Sequence, residues 1–156
     1  MIALTERNDM LKEKRTENLK KWVDQASGYD CLLMQGHFAL CGYVRIPEGH
    51  PLYEVAYNEN VPAGLQWRAE QIMGEPVGKR GPIDVFCMAG RGARAGDLFD
   101  VHGSITFSGK RDNEGFWYGF DLGHCDDHET GIDKDEDYAI KECNSLAAQL
   151  RACVVS

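Results

Sequence analysis

Two short apolar runs on either side of one Gly-His step set the tightest limit on what this chain can fold into. Residues 30–35 (DCLLMQ) and 38–46 (FALCGYVRI) flank Gly36-His37. Each run is too short for a stable helix and has the composition of a buried strand. A reversal at glycine between two such runs predicts a β-hairpin, so the fold must contain an antiparallel sheet.

A second pair repeats the pattern. Residues 98–107 (LFDVHGSITF) and 116–122 (FWYGFDL) lie either side of the polar stretch SGKRDNEG and predict a second hairpin. Helices are expected at both ends. Residues 5–26 carry a broken stripe of Leu4, Leu11, Leu19, Trp22 and Val23, with Thr5 as cap and Gly28 as stop. Residues 134–153 place Ala139, Cys143, Leu146, Leu150 and Cys153 on one face, with Asp133 as N-cap and Asp135, Glu136 and Asp137 at the positive end of the dipole.

Between the hairpins, 64–73 predicts a short helix and 83–88 (IDVFCM) a brief strand. The glycine-rich 89–96 (AGRGARAG) predicts a mobile surface turn, since it fits neither a Walker nor a dinucleotide-binding pattern. The expected fold is one α+β domain over 1–156. Its antiparallel sheet is built from hairpins, with N- and C-terminal helices packed against it.

The chain has 156 residues, 43% of them hydrophobic, and a net charge of −8. That is enough apolar material for one core. The negative field disfavours general nucleic-acid binding but leaves room for a small phosphorylated ligand in a local pocket. No apolar stretch is long enough to span a membrane, and the charged N-terminus is unlike a signal peptide. The six cysteines show no C-x-x-C spacing, which reads as reduced core thiols in a cytoplasmic protein.

The candidate site is the acidic segment 120–129 (FDLGHCDDHE) after the aromatic strand. His102 and Asp121 would face each other across the second hairpin. His124, Asp126, Asp127, His128 and Glu129 would follow in the loop. One reading is a divalent metal on Asp121, His124 and Asp127, with His102 in support, generating a hydroxide for hydrolysis. A second has no cofactor. Asp121 orients His124, while His50, His102, His124 and Asp127 together with the Gly103 and Ser104 backbone hold an anionic ligand. Tyr53 or Tyr57 would stack on a flat ring, and Arg45, Arg91 or Arg94 would neutralise phosphate. A third makes the acidic run only a solvated loop and helix N-terminus. His102-Gly-Ser104 also matches half of the paired H-x-[ST] pattern of 2H phosphoesterases, but no second copy exists.

Three stretches resemble motifs of a family of small phage, prophage and bacterial proteins. GYVRIPEGHPLY (42–53) resembles G-Y-V-x-[VI]-P-x-G-H-P-L-Y. DVHGSITF (100–107) resembles D-V-H-G-G-[LI]-T-[FY], and WYGFDLGHCDD (117–127) resembles W-W-x-G-F-D-x-x-H-x-G-D. The resemblance carries over His50, His102, Gly103, Asp121, His124 and Asp127. Ser104 stands at the motif's second glycine, and 64–97 looks like an insertion. What the resemblance implies is a cytoplasmic accessory protein that counters host defence by binding a small anionic, nucleotide-derived signal. A metal-dependent hydrolase and a protein-binding inhibitor of a host factor are the alternatives. Neither enzyme activity nor a homo-oligomer is decided at this level.

Overall fold

The computed structural model describes residues 17–36, 39–73, 92–111, 115–123 and 135–154. Its frame is a five-stranded antiparallel sheet. The strands are β1 (Glu17–Val23), β2 (Asp30–Gln35), β3 (Leu40–Ile46), β4 (Phe107–Lys110) and β5 (Phe116–Asp121). Their spatial order is β1-β2-β3-β5-β4. Two helices complete the frame, α1 (Gln66–Met73) and α2 (Glu136–Ala152). The α+β class and the first expected hairpin are present, the second hairpin forms with a shifted first strand, and α2 packs on β2 and β3.

Alternation along the strands gives the sheet two different faces. Cys31, Leu33, Leu40, Val44, Ile46, Phe116, Tyr118 and Phe120 point toward α2 and share one core with Ala139, Cys143, Leu146 and Leu150. Leu65, Ala69 and Ile72 bring α1 into the same core. Gly42 lets the helix approach, because a Cβ there would lie 2.5 Å from Cys143 Sγ and 2.5 Å from the Phe120 ring. The opposite face holds a smaller cluster of Leu32, Met34, Tyr43 and Trp117. There the Tyr43 ring lies over Gly119, and the Arg111 guanidinium stacks 4.2 Å from the Tyr43 centroid.

Three expectations need correction. The helix expected over 5–26 is a strand where it is described, at 17–23; residues 5–16 lie outside the described residues. β1 is an edge strand with a register irregularity between Asn18 and Lys20. Only Trp22 turns toward the core, and its indole N–H donates to Asn144 Oδ1 at 2.9 Å. Leu19, Lys20, Lys21 and Val23 stay exposed. Exposed lysines and a bulge are common on edges, which must resist pairing with other chains, and they mimic a solvated helix face.

The strand expected over 98–107 begins only at Phe107. Leu98 ends a 3-10 turn (Ala95–Leu98), and a reversal follows in which Ser104 N donates to Val101 O at 3.0 Å. Leu98, Phe99, Val101 and Ile105 are buried all the same, so an apolar run here marks the core without marking a strand. β4 instead takes Ser108, Gly109 and Lys110 from the stretch expected to be turn.

The cap of α2 is Asp135, whose side chain accepts from Tyr138 N at 3.0 Å; Asp133 lies outside the described residues. The expected α2 stripe from Ala139 to Cys153 is fully buried. The strand expected at 83–88 also lies outside the described residues. No helix among the described residues is long and apolar enough to cross a membrane.

Candidate functional site

The loop after β3 turns His50 inward. Its ring is 5% exposed and both nitrogens are engaged. Leu52 N–H donates to Nδ1 at 3.0 Å. An Nδ1 that accepts must be unprotonated, so Nε2 carries the hydrogen and donates to Leu150 O at 2.7 Å. Burial pushes the His50 pKa below the ordinary imidazole value, in keeping with a neutral ring. His50 therefore ties its loop to the last turn of α2.

Tyr53 packs edge-on against Phe116 at 6.1 Å, also as part of the core. The neighbouring Val55 O accepts the hydroxyl of the fully buried Tyr118 at 2.6 Å, which fixes this loop to β5.

His102 sits in the reversal before β4. Its backbone N–H donates to Glu142 Oε1 at 2.8 Å, and its Nδ1 lies 3.0 Å from the Tyr138 hydroxyl. His50 and His102 thus contact α2 at points eight or more residues apart, roughly 12 Å at a rise of about 1.5 Å per residue. Asp121 takes another direction. Alternation along β5 puts it on the face of Trp117 and Gly119, away from α2. Its carboxylate accepts from Gly123 N at 3.0 Å and Thr106 Oγ1 at 3.3 Å, closing the end of the β4–β5 hairpin.

The hairpin register pairs Phe107 with Gly119, so His102 has no place opposite Asp121. His50, His102 and Asp121 do not meet in one site. His124 and Asp127, on which the metal reading also depends, lie outside the described residues. Among the described residues no group of three metal-type ligands is gathered.

What the structure does bring together is Ser104 with Tyr57 and Arg94. These residues line a cleft of about 470 Å³ together with Asn58, Asp97 and Ile105, a normal size for a small-ligand site, roughly 300–1,000 Å³. The described end of the glycine-rich segment, expected to be a mobile surface turn, forms one wall. Ala95 and Gly96 are buried. Ala95 N donates to Glu59 O at 2.8 Å and Gly96 N to Tyr57 O at 2.8 Å. Asp97 Oδ2 accepts Arg94 N at 2.8 Å, and the Arg94 guanidinium bonds the Asn60 side chain, so the cation is held in place. Asn58 and Asp97 carry no sequence signal that would have singled them out.

The rim of this cleft has unusual backbone. Gly103 and Ser104 both have φ of 70°. Glycine tolerates this region and serine does not, at about 1–2 kcal/mol. The motif that 100–107 resembles has glycine at both positions. Ser104→Gly should therefore raise stability by about 0.5–1 kcal/mol, the relief being partly offset by the freer unfolded chain. Urea denaturation at constant m-value reads this directly, and a net loss of stability would mean that the hydroxyl's bonds outweigh the strain.

The described cysteines offer no activated nucleophile. Cys31, Cys41, Cys143 and Cys153 are free thiols. Burial, chiefly, raises Cys31 to about 12, Cys41 and Cys153 to about 11, and Cys143 as well. Cys87 and Cys125 lie outside the described residues. Comparison with protein-family models, with curated proteins and with solved structures returns no match.

Proposed function

We propose that this protein is a binding domain for a small, polar, anionic ligand that carries a flat ring. The carrying observation is the cleft in which Arg94, Tyr57 and Ser104 converge from three separate segments. Arg94 supplies a fixed positive charge in a protein of net charge −8, so an anion finds its attraction at that point. Tyr57 offers an aromatic surface, Asn58 and Ser104 offer hydrogen-bond donors, and the Asp97 carboxylate accepts from hydroxyls. A phosphate, a base and a ribose together need that set. A nucleotide-derived signal, of the kind the phage-family resemblance implies, is the ligand class we assign, with sequestration as the role.

The test is thermal unfolding with nucleoside monophosphates, cyclic nucleotides and ADP-ribose. A ligand at about 100 times its Kd adds about 2.7 kcal/mol to stability. Arg94→Ala should weaken the responding ligand at least tenfold, about 1.4 kcal/mol, without loss of the fold. No response to any of these ligands, or equal binding by Arg94→Ala, would remove the proposal.

A further inference from the structure

The charges that line the Arg94 cleft limit the anion it can hold. The cation stands on a clasp between two segments. Asn60 and Arg94 form an antiparallel bridge, and Val61 N donates to Ala93 O at 3.3 Å beside it. The Asn60 side chain accepts from Arg94 Nη1, so the guanidinium is aimed and part of its fork is already committed. Asp97 is pinned to the same wall, because its Oδ2 accepts the Arg94 N–H at 2.8 Å. Both residues line the cleft.

One positive and one negative side chain therefore share this wall. The other polar lining residues among those described, Tyr57, Asn58 and Ser104, are neutral. Around the cleft lies a chain of net charge −8. Arg94 balances the first charge of an entering anion. A second charge finds no further cation among the described lining residues and meets the Asp97 carboxylate, although it too must shed its water. Neutral donors suit a singly charged group, since a hydroxyl or an amide bonds a phosphate oxygen without a second cation. The rim points the same way. Ser104 holds a φ of 70°, which glycine would adopt at lower cost, so a neutral hydroxyl stands here against local strain.

We infer that this cleft selects a phosphodiester, with one negative charge, over a terminal phosphate, with nearly two, and that Asp97 sets the choice. The inference rests on the nucleotide assignment made above and narrows it to nucleotides whose phosphate is esterified twice, such as a cyclic mononucleotide. A cleft of about 470 Å³ has room for a guest of that class. Asp97 is then a specificity-determining residue: its charge opposes the second charge of the ligand, while its oxygen holds the Arg94 backbone.

Equilibrium binding to the full chain tests this at about pH 8, where a phosphate monoester, with its second pKa of about 6, carries both charges. The probes are adenosine monophosphate, its phosphate methyl ester and cyclic adenosine monophosphate, with the guanosine set beside them. The methyl ester differs from the monophosphate by one charge and one methyl group. At least one diester should bind about tenfold tighter than the monophosphate of the same base. In Asp97→Asn, whose side-chain oxygen can still accept the Arg94 N–H, that preference should fall to about one, mainly because the monophosphate binds better. The inference is overturned if the monophosphates bind as tightly as the diesters, or if Asp97→Asn keeps the parent's preference. In both cases the nucleotide assignment stands, because a nucleotide has bound. Silence from every probe removes that assignment and this inference with it. The comparison of monophosphate with methyl ester needs no variant, so it decides even where Asp97→Asn folds poorly.

Discussion

Replacing Gly42 with alanine should cost about 1–3 kcal/mol, and with valine more, although the site is a strand position where larger residues are normally welcome. The added Cβ would meet Cys143 Sγ at 2.5 Å and Phe120 Cζ at 2.5 Å. Contacts this short force movement, and neither neighbour can step aside. Cys143 is 0% and Phe120 1% exposed, each packed in the main core. The helix must therefore lift, and it carries Ala139, Leu146 and Leu150 with it. In a domain whose net stability is about 5–15 kcal/mol, that is a large fraction. Urea unfolding should show a lower midpoint at unchanged m-value. Phe120→Leu combined with Gly42→Ala should recover part of the loss, a coupling of about 0.5–3 kcal/mol. Strict additivity of the two changes would show that the helix is not seated on this glycine.

His50→Ala should destabilise by about 2–4 kcal/mol, from a lost buried ring and two lost hydrogen bonds. The imidazole accepts from Leu52 N and donates to Leu150 O, so it serves a loop and a helix end at once. Leu150 O lies in the last turn of α2, where it also accepts the Cys153 N–H at 3.1 Å. Tyr29 lies edge-on to the ring at 6.3 Å. The pH dependence has a definite sign. Burial lowers the folded-state pKa of His50 below the unfolded value, about 6.5. Above that value the ring is neutral in both states and its contribution is fully present. As pH falls below it, the unfolded chain binds a proton first, and stability drops at up to about 1.4 kcal/mol per unit until the folded pKa is passed. Protonation would also set an N–H at Nδ1 against the Leu52 N–H. His50→Gln should flatten this part of the profile relative to the parent. Parallel profiles for the two proteins between about pH 5 and 7 would show that His50 does not titrate as a buried neutral ring.

The hairpin of β2 and β3 and the stripe of α2 were legible because their signals are local. A glycine reversal sits between short apolar runs, and a 4-3-4-3 spacing has only one helical face to occupy. β1 was not legible, because residues 17–23 alternate between one inward tryptophan and outward lysines, with a bulge that breaks the period. A charged edge strand and a solvated helix face look alike until the neighbouring strand is known. Residues 98–106 failed for another reason. Leu98, Phe99, Val101 and Ile105 fill the core from a turn, and hydrophobicity reports burial rather than backbone shape. The site was legible only in part. Ser104, Tyr57 and Arg94 were among the residues singled out, but nothing in their spacing tells that they share a cleft. Asp121 stood out as a charged residue at the end of an aromatic strand, and His50 through the motif that residues 42–53 resemble. Such residues need partners, and in both cases the protein itself supplies them: Leu52 N and Leu150 O for His50, Gly123 N and Thr106 Oγ1 for Asp121.

The pairing of β3 with β5 joins six residue pairs from Cys41–Asp121 to Ile46–Phe116 across a long detour of chain. Closing a loop costs only about 0.6 kcal/mol more for each doubling of its length. The described parts of the detour from residue 47 to 106 supply Tyr57, Arg94 and Ser104 and reach the core through buried residues such as Leu52, Leu65 and Phe99. The cleft and the scaffold can therefore diverge at different speeds. Segments exchanged between those anchors should reshape the cleft while the underlying frame still assembles.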